Sequence, residues 1–115
     1  MTSKTPFLCS LDDIDDPGSR GFDVEVGDAT ISGFLVRHDG QIYAYRNSCP
    51  HTGAPLDWVE HQFLDADQAF IQCAVHDARF QVDNGECIFG PCLGDHLQAL
   101  AIDVRDNQIF LRAPD

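Results

Sequence analysis

Basic residues are scarce in this chain. Seven Lys and Arg stand against nineteen Asp and Glu, a formal charge of −12. Such a balance repels nucleic acid and anionic lipid and favours a basic protein surface as partner. Long apolar runs are missing too, and nothing approaches the roughly 18 consecutive apolar residues of a membrane span. The start, Met1-Thr2-Ser3-Lys4-Thr5-Pro6, followed by Phe7-Leu8-Cys9 and then Ser10 and a cluster of aspartates, carries no signal-peptide pattern. The expectation is a soluble, cytoplasmic protein with no membrane and no nucleic-acid partner. A phosphate-binding glycine loop and a nucleophile–base pair are also lacking, which argues against an independent enzyme. The acidic run Asp12, Asp13, Asp15, Asp16 lacks the spaced ligands and following Glu of an EF-hand, so it reads as a solvated turn. With 115 residues and no repeat, linker or low-complexity stretch, residues 1–115 form one domain.

Five cysteines are present. An odd count without an export signal points to reduced thiols and to metal ligation by some of them, not to a disulfide framework. Two short motifs, Cys49-Pro50-His51 and Cys73-Ala74-Val75-His76, lie 21 residues apart. Each offers one soft sulfur and one borderline nitrogen, so Cys49, His51, Cys73 and His76 are the candidate ligands of a single site. A bare set of two Cys and two His does not choose its metal, because tetrahedral zinc accepts the same donors. The usual zinc-finger order, however, pairs Cys with Cys and His with His. Mixed pairs suit a two-iron cluster in which one iron takes both thiolates and the other both imidazoles.

The remaining pattern is β. Thr30 to His38, then Asp39-Gly40, then Ile42 to Tyr45 predicts a hairpin on a primed turn. A second hairpin is expected from Leu97 to Val104, through Asp106-Asn107, to Ile109-Phe110-Leu111. Shorter strands are expected at Phe7 to Leu11, Phe22 to Val26, Ala69 to Gln72 and Phe80 to Val82. No long helical periodicity competes, so the fold class is all-β, an antiparallel sandwich or barrel. The segment from Thr52 to Asp67 is the least regular.

At this point the chain resembles a Rieske-type ferredoxin over most of its length. Asn47-Ser48-Cys49-Pro50-His51-Thr52-Gly53-Ala54-Pro55-Leu56 is similar to the first cluster loop of that family. Ile71-Gln72-Cys73-Ala74-Val75-His76-Asp77-Ala78-Arg79-Phe80, with the Asn84-Gly85 turn, is similar to the second, and Gly90-Pro91 falls at its proline loop. The resemblance implies a small cluster-binding subdomain on a larger β base and a [2Fe-2S] cofactor held by Cys49, His51, Cys73 and His76. It also implies one-electron transfer between a flavin reductase and a terminal oxygenase or other redox enzyme, through a basic docking surface on the partner.

Three departures from the family pattern matter. The spacing between motifs is long for a small ferredoxin. Asp77 stands where Gly is usual, leaving it to lower the potential, raise the His76 pKa or face solvent. The respiratory branch joins its loops by a disulfide and places hydroxyl donors beside the cluster, whereas the matching positions here hold Ala54, Val75, Ala78 and Phe80. The potential is therefore expected toward the low end of the Rieske range, roughly −150 mV and not +300 mV.

Other residues receive structural roles. Cys9 is expected to be a small buried thiol; Cys87 and Cys92 flank Gly90-Pro91 as possible tuning or sensing groups. His38, His61 and His96 are expected on the surface or in loops, and Trp58 and Phe63 in the core or as loop anchors, with support of docking as the alternative role. Two alternatives to a carrier stay open: a non-carrier subunit like the small subunit of assimilatory nitrite reductases, and a structural zinc module.

Overall fold

The computed structural model describes residues 6–50, 56, 61–73, 78–90 and 93–112. Its strands are β1 (Phe7–Ser10), β2 (Gly18–Val26), β3 (Ala29–His38), β4 (Gln41–Arg46), β5 (Ile71–Cys73), β6 (Ala78–Phe80), β7 (Cys87–Phe89), β8 (Ile102–Arg105) and β9 (Gln108–Leu111). They form three antiparallel three-stranded sheets, ordered β1-β9-β8, β2-β3-β4 and β5-β6-β7. The all-β expectation holds. One 3-10 turn, Leu11–Asp13, interrupts the strands, and among the described residues no helix is long and apolar enough to cross a membrane.

Turn chemistry sets the two hairpins foreseen in the sequence. Asp39 and Gly40 take φ of 52° and 78°, and Asp106 and Asn107 take 50° and 67°, the paired positive values a primed turn demands. The Asp16 carboxylate accepts the N–H groups of Asp39 and Gly40 at 3.0 and 2.8 Å, capping the first turn. Asp13 accepts from the Ser10 backbone at 3.0 Å and Asp12 from the Asn107 amide at 2.9 Å. The acidic run is thus more than a solvated turn, because its carboxylates satisfy donors at three chain reversals.

Side chains alternate across a strand, and β3 uses both faces. Phe34 and Val36 enter one core with Tyr45, Leu56, Phe63, Ile71 and Phe80, while Leu35 enters a second with Cys9, Ile14, Ala44 and Ile109. The sheet β2-β3-β4 is therefore a wall shared by two apolar layers. The small sheet β5-β6-β7 covers the first layer, with Ile71, Cys73, Ala78, Phe80 and Cys87 buried and Gln72 and Arg79 facing outward.

Several strand limits differ from expectation. β2 begins at Gly18, not Phe22, because it pairs with the whole of β3 from Gly18↔Arg37 to Val26↔Ala29. The expected strand at Leu97 starts only at Ile102. Residues 97–101 instead lie along β4, with Arg46 donating to Gln98 O and Leu100 to Ala44 O, both at 2.9 Å. β5 begins two residues later than expected and ends one later, β6 lies two residues earlier than expected, and β7 was not foreseen.

Candidate metal centre

The first thiol follows directly from β4. After Arg46 the chain turns, Asn47 donating its backbone N–H to Ser32 O at 3.0 Å, and Cys49 arrives with 1% of its surface exposed. The side chain of Asn47 then reaches across the loop to accept the N–H of fully buried Leu56 at 2.7 Å. A buried amide needs such a partner, so the two ends of the stretch carrying Cys49 and His51 are tied together.

The second thiol ends β5. Cys73 is fully buried and its Cα partner across the sheet is Ala78 on β6, so the four intervening residues, His76 among them, join the two strands. Cys49, in the loop after β4, and Cys73, at the end of β5, belong to one apolar cluster with Phe34, Leu56, Phe63 and Phe80. Neither cysteine is in a disulfide. His51 and His76 lie outside the described residues, as do Ala54, Trp58, Val75, Asp77, Pro91 and Cys92.

What delivers Cys73 is a clamp that sequence reasoning missed. His61, at φ 70°, accepts the Gly21 N–H on its Nδ1 at 3.0 Å. The Ser19 hydroxyl donates to the His61 carbonyl at 2.7 Å and accepts the Phe63 N–H at 3.1 Å. Phe63 then stacks on Phe34, centroids 4.3 Å apart and planes 7° from parallel. From this anchor the chain doubles back through Asp65, and Gln72 donates to Phe63 O at 2.9 Å. His61 is therefore a loop residue with a structural task. Its partners lie some forty positions earlier, so no local signal reveals it. His38 sits at an exposed turn with Nδ1 3.4 Å from Asp39 Oδ2, and His96 is exposed.

A third wall comes from β7 and the turn after it. Gly90 has φ 107°, and its backbone lies so near β6 that a Cβ there would stand 2.8 Å from Ala78 Cα. Only glycine tolerates both conditions. Cys87 lies buried in the same core, its thiol donating to Phe89 O at 3.4 Å. Cys9 is a buried thiol of β1, as expected; burial raises its pKa, opposed by Arg20 and assisted by Asp13.

The donor chemistry fits an iron–sulfur cluster. Two cysteines are buried in one apolar cluster, no carboxylate is buried beside them among the described residues, and the enclosing side chains are apolar. Soft sulfur donors in a dry pocket hold iron–sulfur clusters and, equally, zinc.

Comparison with known proteins bears on that choice. Residues 5–105 match the family model of the Rieske [2Fe-2S] domain, whose cofactor is that cluster. The chain is 36% identical over 81 residues to the ferredoxin component of the alkene monooxygenase system of Xanthobacter autotrophicus, covering 70% of this chain and 60% of that one. It is 27% identical over 106 residues to human apoptosis-inducing factor 3, covering 92% of this chain and 16% of the human protein. This chain thus spans under two thirds of either relative. The solved ferredoxin of carbazole 1,9a-dioxygenase from Nocardioides aromaticivorans IC177 superposes with a TM-score of 0.76 at 26% identity, covering 97% of this chain and 100% of that one. The family match takes in both cysteine motifs and every strand but β9, and the chain belongs to the Rieske [2Fe-2S] domain family.

Proposed function

We propose that this chain is a one-electron carrier of an oxygenase system, a ferredoxin that takes electrons from a reductase and passes them to a terminal oxygenase. Cys49 and Cys73 would hold one iron of a [2Fe-2S] cluster, and His51 and His76 the other. The observation that carries the reading is the burial of Cys49, from the loop after β4, and Cys73, from the end of β5, in one apolar cluster. The likeness to two ferredoxins of oxygenase systems supports the same direction.

When bound, such a cluster exchanges a single electron at a raised potential, because two neutral imidazoles replace two thiolates. Its oxidised charge is then about zero, against about −2 with four thiolates, so an added electron meets less repulsion. The chain's own part is to keep both sulfurs dry and fixed, through the Asn47–Leu56 tie on one side and the His61–Ser19–Phe63 clamp on the other. The chain acts as a single domain over residues 1–115, meeting partners through a basic surface on their side. A cytoplasmic location, where thiols stay reduced, belongs to the same proposal.

The test is an anaerobic electron paramagnetic resonance spectrum after dithionite reduction, with the visible spectrum of the oxidised protein. A Rieske-type rhombic signal is expected, lost in His51→Ala, His76→Ala, Cys49→Ser and Cys73→Ser. A colourless, silent protein holding zinc without acid-labile sulfide would replace the carrier with a structural zinc module.

A further inference from the structure

We propose that Phe89 and Leu93 form the apolar anchor by which this chain docks on a redox protein whose contact surface is apolar at its centre and basic at its rim. The inference rests on the carrier reading and adds to it a surface and a partner chemistry.

Among the described residues four large apolar side chains are exposed: Phe7, Phe89, Leu93 and Val104, at 51%, 53%, 68% and 44%. Phe7 and Val104 belong to sheet β1-β9-β8, where the Phe7 ring packs edge-on against Phe110. Phe89 and Leu93 stand at the other sheet, on either side of one turn closed by the Leu93 N–H on Gly90 O at 3.2 Å. Exposed apolar groups gathered at one place mark an interaction site more than scattered ones do.

The position of that turn is dictated by Gly90. Its backbone is pressed on Ala78, and Ala78 is the Cα partner of Cys73. The backbone at Gly90, between Phe89 and Leu93, therefore lies about two strand spacings, roughly 10 Å, from the backbone of Cys73. That is near enough for a docked partner to approach the site.

Phe89 is also braced. The Arg79 guanidinium lies 5.6 Å from its ring centroid, and Arg79 Nε stands 3.8 Å from Asp65 Oδ2. A ring already held in place loses little freedom on binding, which suits a contact that must form and release quickly.

Charge selects the occupant. The chain carries −12, and exposed Asp95, two residues beyond Leu93, is tied to β7 by the Cys87 N–H on its carbonyl at 2.8 Å. A second copy would bring the same negative charge and be repelled, whereas a basic rim would be attracted and steered.

Ferric cytochrome c, a basic protein with an exposed apolar haem edge, serves as the probe. Stopped-flow oxidation of the reduced chain gives the bimolecular rate, and calorimetric titration at low ionic strength gives binding independently of electron transfer. Phe89→Ser and Leu93→Ser are each expected to lower the rate and the association constant about tenfold. Val104→Ser should leave both within about twofold, and all variants should keep the midpoint potential and paramagnetic signal of the parent. Equal behaviour of the three variants would overturn the proposal while leaving the carrier reading intact. A dimer in sedimentation that Leu93→Ser dissolves would overturn it in favour of a second copy. A parent lacking the Rieske signal would strike the carrier reading, and the titration would still decide whether this surface binds.

Discussion

The side-chain carbonyl of Asn47 accepts the backbone N–H of Leu56 at 2.7 Å, a hydrogen bond that ties together the two ends of the stretch carrying Cys49 and His51. Asn47→Ala leaves a buried donor without a partner, at an expected cost of about 1–3 kcal/mol. Asn47→Asp keeps an acceptor in the same place and should retain most of the stability. Urea unfolding of the two variants, followed with the rate of cluster loss in chelator, checks this. Equal stability of Asn47→Ala and the parent would show that the loop closes by other means.

Tyr45 ties β4 to the segment beyond β6, its buried hydroxyl donating to Val82 O at 2.6 Å. Burial, with the negative charge of Asp83 and the neighbouring Tyr43, pushes its pKa up to about 12. An unfolded tyrosine releases its proton near pH 10, so between these values the native state binds more protons. Stability then falls as pH rises. The contribution is complete below about pH 10 and lost toward about pH 12. Tyr45→Phe should cost about 1 kcal/mol at neutral pH and remove this part of the alkaline slope. Denaturation midpoints from pH 8 to 11.5 would reveal it, and an unchanged slope would contradict it.

Gly90→Ala meets two penalties at once, a φ of 107° and a Cβ 2.8 Å from Ala78 Cα. A loss of about 1–3 kcal/mol is expected. Gly40→Ala, also at positive φ but with open space around it, separates the backbone penalty from the collision. A comparison of melting temperatures ranks the two, with Gly90→Ala lower.

Ala78 and Phe80 are fully buried and stand where the respiratory branch of the family has hydroxyl donors. Ala78→Ser and Phe80→Tyr should each raise the midpoint potential, because a hydrogen bond to cluster sulfur stabilises the reduced state. Redox titration of the single and double variants decides, and a lowered or unmoved potential would count against cluster contact at these positions.

The parts of the fold governed by local chemistry were legible in the sequence. Asp39-Gly40 and Asp106-Asn107 announced their turns, and the alternation around Phe34 and Val36 announced a core strand. Elements held by distant partners were not. Gly18 to Gly21 carry little strand preference and become strand because β3 lies beside them. Cys87 to Phe89 form a three-residue strand with a register shift against Arg79 and Phe80, too short for a periodic signal. At the candidate site both cysteines, Leu56 and Phe63 were visible from composition and motif, and Phe63 proved a core residue. The tasks of His61 and Ser19 were hidden, since a hydrogen bond across forty residues leaves no trace in spacing. His51, His76, Trp58 and Cys92 lie outside the described residues.

Strand β3 has consequences for cooperativity. From Gly33 to Val36 it has no wet side, since each core uses the opposite face of the same backbone as its floor. Neither layer can melt alone without baring the floor of the other. Calorimetry of the cluster-loaded and cluster-free protein should therefore show one transition each, displaced in temperature but not divided in two. A perturbation at the thiols would then be shared by the whole molecule, as far as the buried Cys9 in the second core.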